Sequence, residues 1–527
     1  PEHSLRPSFR LEAGGNGARF LGVPFSGEMG YNQPLRRKDA GRELSRVILL
    51  ESGTSAMVFS SLSFLFLFLP ALLAAYYLVP RRYREGRNAV LLLFSLGFYG
   101  CGGWRLLPLI LVSITMNYVF GLLAAPGRRR RKAALVGAVA CNLGLLFVFK
   151  YLGFVTANLH ALIPAVPELT ILLPIGISFY TFQAMSYVID VYRGDAAVER
   201  SFLHVALYVV LFPQLVAGPI VRYSTVAEEI RCRREGADDM AEGLQRFLFG
   251  LAKKVLLANQ MGLIADAAFS QTAPRLSMGL AWLGVIGYTL QIYFDFSGYS
   301  DMAIGLGRAF GFHFLENFNY PYVSRSVTEF WRRWHISLST WFRDYLYIPL
   351  GGNRVSRGKQ IRNLLIVWAL TGFWHGAAWN FLFWGLYYAL LLMGERYCWG
   401  RGWERMPAAL RHMGAMLLVM LGWLLFRASG TEQILLFLRA MVGAGEGGLW
   451  TNQVSYLLRQ FWPELLAAPI ACLPVAPRLR GKLSAKDGGL GAELLHCGAP
   501  GLALLLGGLS AMKLVEAGFN PFIYFQF

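Results

Sequence analysis

The chain has 527 residues, of which 55% are hydrophobic and only 15% charged, against roughly 45–50% and about 25% in a soluble domain. That balance excludes a water-soluble globule; apolar runs of about 20 residues recur along the chain and match a hydrocarbon core of about 30 Å as helices, so the reading is an all-α polytopic membrane protein. Fifty Lys and Arg against 31 acids give a formal charge of +19, an excess expected in loops that face anionic lipid, and nucleic acid has no place as a partner.

Residues 1–56 are rich in Gly, Arg and Glu and hold no apolar run long enough to span. Met57 then opens VFSSLSFLFLFLPALLAAYYLVP, a first membrane segment with a natural start, so 1–56 is expected to be upstream, non-native sequence or a disordered extension, and 57–527 the membrane domain. Arg36, Arg37 and Lys38 would sit on the outer side of that first segment, which favours the non-native reading. Apolar runs follow near 58–79, 88–103, 105–126, 133–154, 171–192, 202–221, 245–269, 278–296, 361–393, 411–428, 454–475 and 490–511, which predicts about ten to twelve transmembrane or re-entrant helices. Arg81, Arg82, Arg84 and Arg87 follow the first run and Arg128 to Lys132 the third, whereas 155–170 has neither Lys nor Arg, so the two basic loops are expected in the cytoplasm. The loop at 222–246, with Arg231, Arg233 and Arg234, would then be external unless one earlier run is re-entrant, and a re-entrant run is expected.

The segment 312–362 interleaves Arg325, Arg332, Arg333, Arg343 and Arg354 with Trp331, Trp334 and Trp341 and reads as an interfacial helix. Ser326 with Glu329 forms a capping box, which predicts one helix from about 327 to 346, stopping at Pro349. On it Trp331, His335, Leu338 and Phe342 share one face. Six scattered cysteines (Cys101, Cys141, Cys232, Cys398, Cys472, Cys497) contain no C-x-x-C, so neither a disulfide framework nor a metal site is expected, and P-loop, G-x-S-x-G and H-E-x-x-H motifs are missing.

Chemistry is therefore sought among ionisable groups in apolar surroundings, which cost a few kcal/mol each unless they have a partner or a job. Asp190 has Arg193 one turn on, expected as a plain ion pair. Asp295 and Asp301 lie in YFDFSGYSDMAIGLG, where Gly298, Gly305 and Gly307 permit close helix approach and a helix break; structural hydrogen bonding and a substrate path are both open. His375, in LTGFWHGAAWNFLFWG, has the most apolar setting of any histidine, with small neighbours that leave room for a ligand. It suits either a helix-to-helix hydrogen bond or proton transfer from an attacking alcohol, and it can also carry an acyl group. His335 suits orienting a substrate or stabilising negative charge, or merely anchoring its helix.

At these residues the sequence resembles the membrane-bound O-acyltransferase (MBOAT) superfamily, and within it the bacterial alginate O-acetyltransferase branch, through IGISFYTFQAMSYVIDVYRG, FPQLVAGPIVRY, YFDFSGYSDMAIGLGRAFGF, the 317–354 string NFNYPYVSRSVTEFWRRWHISLSTWFRDYLYIPLGGNR, LTGFWHGAAWNF and the tail NPFIYFQF. The resemblance implies helices around a central tunnel, with a core over 171–393, in a bacterial plasma membrane. It implies His375 as signature histidine and His335 as the second catalytic position. Trp331, Arg332, Asp295, Asp301 and Asn319 are expected on the substrate path, with Trp331, Arg332 and His335 near a mouth of the tunnel that holds His375. No bound cofactor is expected; the implied donor is a cytoplasmic thioester, acetyl-coenzyme A, and the acceptor an envelope polysaccharide, with an exported SGNH-type partner. The alternatives are D-alanyl transfer to teichoic acid from a carrier protein and a non-enzymatic export channel.

Overall fold

The computed structural model describes residues 57–478 and 490–517, the last segment with side chains over 498–516. Residues 1–56 and the tail NPFIYFQF lie outside the described residues, as does the side chain of Cys497. Among the described residues all regular elements are helical, in line with an all-α polytopic membrane protein. In chain order they include α1 (Phe64–Leu78), α2 (Arg84–Cys101), α3 (Leu107–Ala124), α4 (Arg131–Leu162), α5 (Ile177–Arg193), α6 (Phe202–Val210), α7 (Tyr223–Cys232), α8 (Ala237–Phe269) and α9 (Met278–Ala309). These are followed by α10 (Val327–Arg333), α11 (Ile336–Phe342), α12 (Arg357–His375), α13 (Trp379–Gly394), α14 (Ala408–Arg427), α15 (Thr431–Met441), α16 (Asn452–Gln460), α17 (Trp462–Ala471) and α18 (Leu490–Ala517). Five described helices, over 104–124, 131–162, 237–269, 408–427 and 498–516, are long and apolar enough to cross a membrane. Cys101, Cys141, Cys232, Cys398 and Cys472 are free thiols.

Several runs resolve differently from their sequence reading. The run 202–221 carries only nine residues of continuous helix in α6, about 14 Å at 1.5 Å per residue and too short to cross, so this buried segment fits the expected re-entrant element. The run 361–393 is not one helix but a hairpin, α12 and α13, turned at Gly376-Ala377-Ala378. The two arms touch where a Cβ on Gly385 would meet the Trp368 carbonyl and the Gly372 Cα, an approach that only glycine allows. The predicted break in 293–307 does not occur: α9 runs unbroken for 32 residues. Its glycines serve packing instead, since a Cβ on Gly298 would lie 2.8 Å from the Gly250 carbonyl and one on Gly305 would strike the Gly243 carbonyl of α8.

The predicted single helix over 327–346 is divided. Ser326 does cap α10, its Oγ accepting from Glu329 N at 3.0 Å, but α10 ends at Arg333 and α11 begins at Ile336. Trp334 and His335 at the break are each 1% exposed, so this is interior structure and not a surface-lying helix. The buried side chains form two apolar clusters. One gathers α1, α2, α5 and α6 with Phe296–Leu306 of α9; the other gathers Leu280–Phe294 of α9 with α12 to α17. The break at 334–335 falls on their seam, with Trp334 in the second cluster and Leu338 in the first.

Candidate active site

His335 caps α11 in a left-handed conformation, φ 45° and ψ 55°, which costs a non-glycine residue roughly 1–3 kcal/mol unless its surroundings impose it. The non-helical segment around Asn317 supplies that constraint. Ile336 N donates to the Asn317 carbonyl at 2.9 Å and Asn319 N donates to the Arg333 carbonyl at 2.9 Å, clipping both sides of the break. Asn317 Oδ1 then accepts from Ser337 N at 3.2 Å, Ser337 Oγ at 2.9 Å and His335 Nδ1 at 3.1 Å. Asn317 Nδ2 donates to Ser300 Oγ at 3.1 Å, and the Ser337 N–H, which can only donate, fixes the amide orientation. An acceptor at Nδ1 assigns the proton to Nδ1 and leaves the Nε2 lone pair free; that buried Nε2 has no hydrogen-bond partner. His335 lines a cavity of about 250 Å³ together with Trp331, Arg332, Leu338, Phe342 and Thr371. The sequence-predicted face of Trp331, His335, Leu338 and Phe342 thus survives the break.

His375 is the last residue of α12 and is 4% exposed. Its ring packs edge-on against Trp374, Trp384 and Phe426 at 5.0, 5.0 and 5.3 Å, and its Nδ1 has no partner. It lines a small cavity of about 70 Å³ with Lys150, Gly176 and Ser178. The two imidazoles are not on opposite sides of the protein, nor do they open into one cavity. Trp374 touches both, 5.9 Å from His335 and 5.0 Å from His375 between ring centroids. In place of the expected single tunnel the two histidines line separate cavities, and Trp374 lines that of His375 but not that of His335.

Trp331 lies with His335, its ring against Trp368 and Tyr388 at 4.7 and 4.8 Å and its indole N–H unpartnered. Arg332 is exposed at the same cavity. Asp301 and Asn319 line a third, polar cavity of about 540 Å³ that also contains Asn317 and Ser300. Asp301 is held there by Arg246 at 2.8 Å and Lys253 at 2.6 Å. Asp295 lines none of these cavities; it forms a buried ion pair with Lys254 at 2.5 Å, the structural alternative for that residue. Asp190 does not pair with Arg193: it accepts from Tyr345 OH at 2.6 Å, while Arg193 donates to the Asp344 carbonyl at 3.2 Å.

Two functional-site residues were missed in the sequence. Asn317, which fixes the His335 ring, is one; its only signal was a place in the NFNYPY string. Lys150 is the other, a lone cation inside the apolar run 133–154 that the cost argument for ionisable groups covers equally. Its Nζ donates to the Trp374 carbonyl at 2.5 Å and to Ser178 Oγ at 3.0 Å. Beside it Tyr151 OH donates to the Phe373 carbonyl at 2.8 Å. Both come from a π-helical turn of α4 (Phe147–Tyr151), and together they occupy carbonyls that the end of α12 leaves open.

Residues 196–403, which contain both histidines, match the model of the membrane-bound O-acyltransferase family. The protein named "Probable alginate O-acetylase AlgI" in Azotobacter vinelandii is 43% identical over 507 residues, covering 89% of this chain and all of the relative. The chain belongs to the membrane-bound O-acyltransferase family. Two further relatives of this acyltransferase are a peptidoglycan O-acetyltransferase of Helicobacter pylori, 36% identical over 73% of the chain and 80% of the relative, and a teichoic acid D-alanyltransferase of Bacillus subtilis, 29% identical over 55% and 75%. The family places O-acyl transfer in a membrane enzyme whose matched segment spans α6 to α13.

Proposed function

We propose that this acyltransferase moves an acetyl group from acetyl-coenzyme A at the cytoplasmic face of the bacterial inner membrane to a hydroxyl of an envelope polysaccharide, directly or through an exported SGNH-type partner. The observation that carries the reading is the pair of buried histidines on either side of Trp374, each with an unpartnered ring nitrogen and each at a cavity. His375 takes the proton of the attacking hydroxyl, or carries the acetyl group between donor and acceptor. His335, with its Nε2 lone pair presented by the Asn317 clamp, orients the acceptor or donor at the neighbouring cavity. Trp331 and Arg332 line that cavity's mouth, and Asp301 with Asn319 line the polar cavity beyond it.

Transfer across the bilayer is supported by the placing of α12. Its 19 residues start at a basic end, Arg357, Lys359 and Arg362, and carry the chain about 28 Å from that end to His375. With that basic end in the cytoplasm, His375 lies toward the opposite face. Acetyl transfer is preferred over D-alanyl transfer because the relatives named for O-acetylation match over more of the chain and at higher identity.

The test is transfer of labelled acetyl from acetyl-coenzyme A to envelope polysaccharide in membranes carrying the full chain. His375→Ala should lower the rate by about 10²–10⁴-fold, the usual worth of a positioned acid-base group. Wild-type labelling in His375→Ala would refute the role of the histidine. Labelling only from a D-alanyl carrier protein would transfer the reading to the sister chemistry.

A further inference from the structure

Lys150 is a buried cation for which the fold provides no counter-charge. It is 9% exposed, and among the described residues no carboxylate stands within ion-pair distance of its Nζ. The other intramembrane lysines differ: Lys254 pairs with Asp295 and Lys253 with Asp301. An uncompensated buried ammonium is costly, so charge on this amino group is favoured most when an anion forms beside it. Of its three N–H donors, two are used, on the Trp374 carbonyl and Ser178 Oγ.

The cavity it lines is unlike the other two. At about 70 Å³ it has room for a few atoms, enough for an acetyl group and too little for a coenzyme. Its wall includes the start of α5, a 17-residue helix entered through Gly176 at φ 71°, so the positive end of that helix faces the same space as the ammonium. His375, with its buried unpartnered Nδ1, also lines this cavity. A nitrogen base and a positive pocket thus meet over a volume that fits a short acyl group.

We infer that the Lys150 ammonium holds the acyl carbonyl oxygen during transfer, making Lys150 a catalytic residue and not only a cap on α12. The inference rests on the reading of His375 given above. As the acceptor oxygen bonds to the acyl carbon, its proton passes to His375 and the carbonyl electron pair moves onto its own oxygen, beside Lys150. When that pair returns, the carbon–sulfur bond breaks and the thiolate leaves with the proton from His375. The donor thioester and the acceptor hydroxyl supply all atoms, and no oxidant or reductant is needed.

The experiment uses the full chain in lipid nanodiscs, with acetyl-coenzyme A as donor, thiol release as readout, and water or deacetylated alginate oligomers as acceptor. Lys150→Gln keeps N–H donors for the Trp374 carbonyl but removes the charge; Lys150→Arg keeps the charge. With Lys150 on the oxyanion, Lys150→Gln lowers kcat by about 10²–10³-fold with KM for acetyl-coenzyme A within about threefold, and Lys150→Arg stays within about tenfold of wild type. Lys150→Gln turning over within about threefold of wild type overturns the inference and leaves the His375 reading intact. Should Lys150→Gln fail to fold, Lys150→Met and Lys150→Arg decide it, and equal rates in those two overturn it. A fully active His375→Ala overturns both readings together.

Discussion

Replacing Asn317 by Leu changes little volume but removes an acceptor shared by three donors: His335 Nδ1, Ser337 N and Ser337 Oγ. Asn317 is fully buried, so water cannot take its place without new room. The Ser337 hydroxyl can rotate away, which leaves the Ser337 amide and the His335 N–H unsatisfied, at about 1–3 kcal/mol each. The left-handed His335 keeps the two backbone clips at Asn317 and Asn319 but loses the bond that fixes its ring. The variant should lose about 2–6 kcal/mol of stability, read as a lowered melting temperature in nanodiscs at fixed protein concentration. Its acyl-transfer rate should fall with it, and through the histidine: Asn317→Leu combined with His335→Ala should be no slower than His335→Ala alone, because groups acting as a unit are not additive. Unchanged melting with an unchanged rate would refute the clamp, and losses that multiply in the double variant would show that Asn317 acts elsewhere.

Lys254→Met should destabilise the protein by about 3–5 kcal/mol, because it strands the buried Asp295 carboxylate, and Lys254→Met with Asp295→Leu should recover most of that loss in the same melt. In the loop between α5 and α6, Glu199 is drawn two ways: burial raises its pKa, but hydrogen bonds from Ser201 N, Tyr223 OH and Arg231 outweigh it and hold the carboxyl at about 2, below its ordinary 4.5. A carboxyl with a lowered folded-state pKa stabilises above its unfolded value and loses that contribution as pH falls through the folded one. Melting temperature should therefore drop between about pH 4.5 and 2, and the drop should be shallower in Glu199→Gln.

The apolar runs announced the helices because burial in lipid demands internally bonded backbone, and a 20-residue apolar stretch has few other ways to satisfy it. Turns inside such stretches are harder to read. Residues 361–393 stay apolar through Gly376-Ala377-Ala378, so hydropathy continues across a hairpin whose bend is set by helix-to-helix approach at Gly372 and Gly385. The break at His335 was hidden for a different reason: Trp331, His335, Leu338 and Phe342 keep helical spacing, while the force that interrupts the helix comes from the backbone at 317–319. Asp190 and Asp295 show the same limit, since each pairs with a residue distant in sequence, Tyr345 and Lys254, and Asp190 passes over the nearby Arg193. The two histidines were legible from chemistry and motif together; Lys150 was equally visible as a lone charge but carried no motif.

Lys150 and Tyr151 grip the last carbonyls of α12 from a helix made more than 200 positions earlier in the chain. The position of His375 is consequently decided by a docking event and not by its own helix. During synthesis α4 is in the bilayer long before α12 emerges, waiting as a template against which the newly inserted helix end is set. The setting of His375 is complete only when the end of α12 meets Lys150 and Tyr151 of α4. Until that moment a partly built chain holds both imidazoles without the contacts that set the end of α12.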